Sequence, residues 1–413
     1  MEKKLLQINV CNNALSTGKI ASDIGELALE NGWKSYIAYS SEGSFRPSKN
    51  QSIKVGNKID YYTHVIEARL FDNLGLGWSS IMATKRLIKV IDELVPTLIH
   101  LHIIHGYFLN LPVLFDYLKT LNTPIVWTIH SCWEFTGHCG FFDTIGCDKW
   151  KTGCHHCPQY KNYPTSWFRD RSKRNYSEKK LLFNSISNLT LVPVSKWLGG
   201  LLQESFLNNH IIIPIYNGVD TSVFSPSASA PRFRKQHGLE SKFIAIGVAS
   251  TWEPRKNMKD YVRLSEMLPD NMKLVLVGLN KQEQNNLPPN ILGLPRTKNT
   301  QELVDIYSAA DVVLNLSLEE TFGLTTVEGF ACGTPSIVYN CTASPELISN
   351  DTGFVIDPGD LNGVLKCMEK IADTGKEKYG TNCRQRALTS FDKNTNYHQY
   401  LELYNKLIHN VSI

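Results

Sequence analysis

The chain has 413 residues, 42% of them hydrophobic and 20% charged, too many for one ordinary core, so two or three domains are expected. Gly and Pro together make about 11% of it, which excludes a collagen-like or wholly disordered polymer. Lys plus Arg at 43 against Asp plus Glu at 39 leaves a net charge of only +4; the dense basic surface of a nucleic-acid binder is missing and no nucleic-acid partner is expected.

The amino terminus holds two lysines and a short apolar run that turns polar at Cys11, Asn12 and Asn13, too brief for a signal peptide. No stretch approaches the roughly 18 apolar residues that span a bilayer. A cytoplasmic location is expected, and with it reduced thiols for the ten cysteines.

Short apolar runs rich in β-branched residues, at 5–10, 35–40, 98–103, 124–129 and 189–194, predict strands. Between the first two, Ile20, Ile24, Leu27 and Ala28 keep helical spacing and Asn31-Gly32 supplies a stop, which makes one β-α-β unit. After Pro214 the same pattern restarts, with strands expected at 243–248, 273–277, 311–316, 336–339 and 353–356, and helical stretches such as 301–310 between them. Nearly continuous apolar strands joined by helices imply two parallel sheets in tandem, with sites outside the carboxyl ends of the strands. The turn-rich segment 216–241, with Asn217-Gly218 and Ser225-Pro226, reads as a connector between domains, with a cleft expected between the two sheets.

The stretch 319–331, Glu-Glu-Thr-Phe-Gly-Leu-Thr-Thr-Val-Glu-Gly-Phe-Ala, follows the strand at 311–316 and opens a helix. Amides of Gly323, Leu324 and Thr325 would then sit at a helix N-terminus, where the dipole favours an anion such as a diphosphate. Glu328, about one turn in, could accept hydrogen bonds from sugar or ribose hydroxyls. A solvated acid pair on a loop and a helix face is the ordinary alternative. Arg255 and Lys256 follow the strand at 243–248, where two cations can neutralise a leaving diphosphate without a metal; a surface basic pair is the ordinary reading.

Together these residues resemble the GT-B glycosyltransferases, in particular the large retaining family 4, over nearly the whole chain. Glu320 and Glu328 match that family's paired-glutamate motif. Tyr216-Asn217-Gly218-Val219-Asp220 with Phe224 resembles its interdomain segment, and Val194-Ser195-Lys196-Trp197 its end-of-strand serine motif. The resemblance implies two Rossmann-like domains facing a cleft: 1–215 for the acceptor, 216–393 for the nucleotide-sugar donor, and a helix at 394–413 packing back on the first domain. It implies that Glu328 binds the nucleotide ribose, Glu320 contacts the transferred sugar, Arg255 and Lys256 hold the diphosphate, and the amides of 323–325 take its distal phosphate. The family commonly has an Arg about five residues before the Lys, where this chain has Thr251; Arg255 is the substitute. Gly18, in a turn read between the first strand and first helix, corresponds to a Gly-containing loop facing the donor phosphates. His130 resembles the family's cleft histidine, although many members have Asp where Ser131 stands, and an orienting hydrogen-bonding role is implied. His102, at the end of the preceding strand, reads as a packed or rim histidine.

Cys139, Cys147, Cys154 and Cys157, in the Cys-rich loop 132–157, are candidate ligands of a structural zinc, with plain reduced thiols as the alternative. The basic run Arg169, Arg171, Lys173, Arg174, Lys179, Lys180 reads as a solvated helix face or as a peripheral contact with anionic headgroups or a lipid-linked acceptor at the inner face of the membrane.

The expected activity is transfer of a hexose-type unit from a nucleoside-diphosphate sugar, UDP- or GDP-linked, to a glycan or lipid-linked acceptor. Retention of configuration and a surface-polysaccharide role are implied by the resemblance, and no cofactor is required for catalysis. A same-fold epimerase or phosphorylase, or a catalytically silent sugar-nucleotide binder, are the alternatives. A nicotinamide dehydrogenase is disfavoured because no Gly-x-Gly-x-x-Gly follows the first strand.

Overall fold

The computed structural model describes residues 2–411. They form two compact units, one made of residues up to Tyr216 together with those from Tyr397 onward, the other of Asn217–Asn396.

The first unit runs β1 (Lys4–Asn9), α1 (Leu15–Glu30), β2 (Lys34–Ser40), β3 (Gln51–Val55), α2 (Lys58–Phe71), α3 (Ile81–Leu94), β4 (Leu98–Leu101), α4 (Leu111–Leu118), β5 (Ile125–Ile129), α5 (Ser172–Phe183), β6 (Leu189–Pro193), α6 (Lys196–Glu204) and β7 (Ile211–Ile212). Its seven strands pair in the order β3-β2-β1-β4-β5-β6-β7, every neighbour parallel. β4, β5 and β6 are buried at every position, as a sheet covered on both faces demands. The α1 stripe of Ile20, Ile24, Leu27 and Ala28 packs with Leu5, Leu98, Val126 and Val192 from four strands. Tyr397, Tyr400 and Tyr404 of the terminal helix join the same core. Gly32 ends the α1 turn at φ +78, a left-handed conformation that suits glycine.

The second unit begins with α7 (Ala230–Gln236) and continues β8 (Phe243–Val248), α8 (Met258–Ser265), β9 (Met272–Val277), α9 (Lys281–Asn285), β10 (Ile291–Leu294), α10 (Thr300–Ala309), β11 (Val312–Asn315), α11 (Leu324–Ala331), β12 (Ser336–Tyr339), β13 (Gly353–Ile356), α12 (Leu361–Thr374) and α13 (Glu377–Ser390). Its sheet order is β10-β9-β8-β11-β12-β13, again all parallel. The last helix, α14 (Lys393–Val411), starts in this unit and passes to the first.

Three strands were not expected. β3, β7 and β10 all lie at sheet edges: β3 reads Gln-Ser-Ile-Lys-Val, is mostly exposed and carries little apolar signal, while β7 and β10 are apolar but only two and four residues long. The expected connector is also corrected. Most of 216–241 belongs to the second unit, because Ser227 Oγ donates to Asp305 at 2.6 Å, Arg234 pairs with Asp311 at 2.7 Å, and Arg384 donates to the carbonyls of Phe224 and Thr221 at 2.6 and 2.8 Å.

Candidate active site

In each sheet the strand order reverses between neighbours, at β1/β4 and at β8/β11, and the carboxyl ends flanking such a reversal open a crevice. In the second unit, the segment after β8 carries Arg255 and Lys256 in one 3-10 turn, Pro254–Lys256, and the segment after β11 carries Glu319 and Glu320. Adjacency of β8 and β11 brings these groups together although 64 residues separate them in sequence. The Leu318 amide donates to the Arg255 carbonyl at 2.8 Å, and Arg255 Nη1 donates to the Glu319 carbonyl at 3.2 Å. Lys256 Nζ forms an ion pair with Glu320, and Arg255 Nη1 stands 4.0 Å from its other oxygen. Burial pushes the Glu320 carboxyl up, but Lys256 and then Arg255 outweigh it, and the group is held below its ordinary value. It is ionised at neutral pH. Sequence reading gave the cations to a diphosphate and Glu320 to a sugar; the structure places Lys256 directly on Glu320.

Helix α11 follows at once. Gly323 is its N-cap at φ +105, with Leu347 close to where a Cβ would stand, and no side chain caps the helix. The first-turn amides of Gly323, Leu324 and Thr325 therefore lie where an anion would be favoured. Glu328 is in the next turn, part-buried, and accepts from Tyr307 OH at 2.8 Å. Burial pushes its carboxyl up to about 7, against the pull of the tyrosine hydroxyl. Sequence alone gave no sign of Tyr307.

In the first unit His130 directly follows β5 and is buried. Its Nε2 lies 3.3 Å from His102 Nδ1, and His102 Nε2 lies 3.0 Å from Gln7 Oε1. The tautomers follow from the far end. Gln7 Nε2 donates to the Ala21 carbonyl at 2.7 Å, so its oxygen faces His102 and must accept; His102 Nε2 then carries the proton and Nδ1 accepts from His130 Nε2–H. That leaves His130 Nδ1 as a lone-pair acceptor. Burial holds both imidazoles neutral, His130 down at about 3 and His102 well below its ordinary value. His102 is thus a packed histidine and also the group that orients His130.

The turn after His130 holds a buried carboxyl, Glu134, within electrostatic reach of a buried lysine from α5, Lys179, which the sequence did not reveal. Ser131 Oγ donates to Glu134 Oε2 at 3.0 Å. Lys179 Nζ, fully buried, donates to the Trp133 and Thr136 carbonyls at 2.6 and 3.1 Å. Burial moves both ionisable groups to about 7, the Glu134 carboxyl upward and the Lys179 ammonium downward.

Two expectations are corrected here. Gly18 does not lie in a loop: it is inside α1, a Cβ on it would meet Cys11 Sγ at 2.8 Å, and its carbonyl accepts from the Asn13 amide. It serves helix packing. The backbone is strained where the chain enters α1, with Asn13 just before the helix and Leu15 at its first position both at positive φ. Nor is 169–180 one basic face, since Lys179 is internal and Arg174 pairs with Glu178.

Cys139, Cys147, Cys154 and Cys157 line one small cavity, about 20 Å³, with His138 beside them, space for about one water molecule. None of the ten cysteines is joined in a disulfide. Cys139 donates to Cys157, whose thiol is drawn down to about 7 by that bond, and the Gly137 amide donates to Cys154 Sγ at 3.2 Å. As they stand, no three metal-binding side chains converge on a common point among the described residues. No helix among the described residues is long and apolar enough to cross a membrane.

Two all-parallel Rossmann-like sheets, with cations, carboxylates and a helix start gathered at the strand ends of the second, define the architecture of a GT-B glycosyltransferase. Sucrose-phosphate synthase from Thermosynechococcus elongatus superposes with a TM-score of 0.72 at 18% identity, covering 99% of this chain and 100% of that one. Anabaena Alr3699/HepE, solved in complex with UDP, gives 0.67 at 16%, covering 98% and 100%. Residues 28–223 match the family described as Glycosyltransferase Family 4, and residues 229–387 that of Glycosyl transferases group 1. The chain belongs to the group 1, family 4 glycosyltransferases. The putative colanic acid biosynthesis glycosyl transferase WcaC of Escherichia coli is 23% identical over 98% of this chain and 100% of that protein. The Bacillus anthracis N-acetyl-alpha-D-glucosaminyl L-malate synthase is 27% identical over 52% of this chain and 58% of its own length.

Proposed function

We propose that the protein is a retaining hexosyltransferase that moves a sugar from a UDP- or GDP-linked donor to a glycan or lipid-linked acceptor in surface-polysaccharide biosynthesis, at the cytoplasmic side of the membrane. The observation that carries this reading is the Arg255–Lys256–Glu320 cluster beside the side-chain-free N-terminus of α11. In this reading the second unit takes the donor: the cations and the amides of 323–325 receive the diphosphate, and Glu328 accepts from the ribose hydroxyls. Glu320 contacts the transferred sugar once phosphate oxygens compete for Lys256. The first unit takes the acceptor, with His130 Nδ1 as the hydrogen-bond acceptor for a reacting or neighbouring hydroxyl. Charge on the leaving diphosphate is met by fixed cations and amides, and this chemistry needs no resident cofactor. Alr3699/HepE has also been solved with UDP-glucose, and WcaC carries the name of a colanic acid pathway; both support the reading.

The four cysteines are proposed to hold one structural zinc. Thiolate chemistry suits it, and tetrahedral Zn–S bonds of about 2.3 Å require sulfurs about 3.8 Å apart; an ion would have to draw these side chains together.

The test is calorimetric titration of UDP, GDP and ADP into the native protein and Glu328→Ala. A nucleotide that binds the first and not the second is expected. Binding of none removes the donor site, and equal binding to both removes the role of Glu328.

A further inference from the structure

Helix α2 buries His64, Val65, Glu67 and Ala68 and turns Ile59, Tyr62 and Ile66 outward, 75%, 57% and 52% exposed. Their spacing of three and four residues makes one continuous apolar stripe. At the carboxyl end of the helix the stripe runs on into aromatics from elsewhere in the same unit. The Phe71 ring touches Trp78 at 5.2 Å, the Trp167 amide donates to the Arg69 carbonyl at 2.7 Å, and the rings of Trp167 and Phe168 are 6.3 Å apart. Trp78 and Phe168 are 60% and 74% exposed. Single exposed apolar residues are ordinary, whereas a contiguous set of this size marks an interaction surface.

The charge on this face identifies the partner. Arg69 lies over Trp167 at 5.5 Å and Arg169 over Phe71 at 5.2 Å, so each guanidinium is held among the aromatics. The nearby acid, Asp170, is engaged by the amides of Cys157 and Ser172 at 2.7 and 2.9 Å. Exposed Trp, Phe and Ile interleaved with arginines suit the boundary of an anionic bilayer, where rings enter the headgroup layer and guanidinium groups meet phosphate. We propose that this face, Ile59 to Ile66 of α2 with Trp78, Trp167 and Phe168, docks the protein on an anionic lipid surface.

The docking does not depend on the donor chemistry above, but it bears on the acceptor. Tyr163 OH is bonded to His105 Nδ1 at 3.1 Å, and the His105 ring packs at a tilt against Trp133, ring centroids 4.7 Å apart, in the turn after His130. The segment that reaches the lipid surface thus also reaches the proposed acceptor residues, which favours a lipid-linked acceptor.

Co-sedimentation with vesicles of phosphatidylcholine alone, and of equal parts phosphatidylcholine and phosphatidylglycerol, tests the proposal. The native protein should sediment with the anionic vesicles only, less so at high salt. Ile66→Asp/Phe168→Asp and Arg169→Glu should each weaken that binding by roughly tenfold or more, with circular dichroism and nucleotide affinity unchanged as the control for folding. Three results would overturn it: no sedimentation with anionic vesicles, equal sedimentation of the folded variants, or a native dimer on gel filtration that these substitutions dissociate.

Discussion

Glu328 should lower the stability of the folded chain above neutral pH, and its replacement by Gln should raise it. Burial moves its carboxyl from the ordinary 4.5 to about 7, so between those values the folded state binds the proton more readily than the unfolded state. Stability from this group is complete below about pH 4.5 and is lost as pH rises through 7. Fully expressed, the gap corresponds to about 3 kcal/mol; the side chain is partly open to solvent, and about 1–2 kcal/mol is the expected cost at pH 8. Glu328→Gln removes the charge while an amide oxygen still accepts from Tyr307. Thermal unfolding of both proteins from pH 5 to 8.5 should give nearly equal midpoints at the acid end and a variant a few degrees more stable at the alkaline end. The same variant should bind nucleotide more weakly, because a neutral amide is the poorer acceptor for ribose hydroxyls. Parallel stability curves across this range would mean that Glu328 is as well solvated folded as unfolded.

Lys256→Met strands the buried Glu320 carboxylate with only Arg255 nearby and should cost about 2–3 kcal/mol in urea unfolding at pH 8, most of it recovered in Lys256→Met/Glu320→Gln; a double variant no better than the single denies the pairing. For His130, long-range proton–nitrogen NMR should show the Nε2–H tautomer, neutral down to pH 5, and Gln7→Leu should disturb it; a proton on Nδ1 would mean that His102 does not accept from His130. Once a donor is known, His130→Ala should lower kcat far more than donor affinity, and an equal loss of both would indicate misfolding. Metal analysis of protein purified without added zinc should give one zinc per chain, lost in Cys154→Ser but not in Cys367→Ser; four rapidly titrating thiols and no metal would dismiss the ion.

Much of the architecture was legible because its signals are local. Buried parallel strands are apolar along their whole length, α1 shows its stripe at 20, 24, 27 and 28, and Asn31-Gly32 marks its end. Edge strands such as β3 escaped because they are half-solvated and need no apolar run. Gly18 was misplaced by one turn, since a glycine packed on Cys11 and a glycine in a loop look alike in sequence.

Strand burial and helix period are written in neighbouring residues, so the sequence already specified two parallel α/β units and the segments that follow their strands. It also determined the chemical types available at those ends: paired glutamates, a cation pair, a histidine. Which of them meet depends on how distant segments pack. Strand order sets β8 beside β11 and so puts Lys256 on Glu320; β1 beside β4 and β4 beside β5 string Gln7, His102 and His130 into one hydrogen-bonded line. Burial then decided charge, holding His130 neutral and lifting Glu328 to about 7. Neither adjacency across a sheet nor depth below the surface is a property of any stretch of chain, since both arise only when distant segments pack.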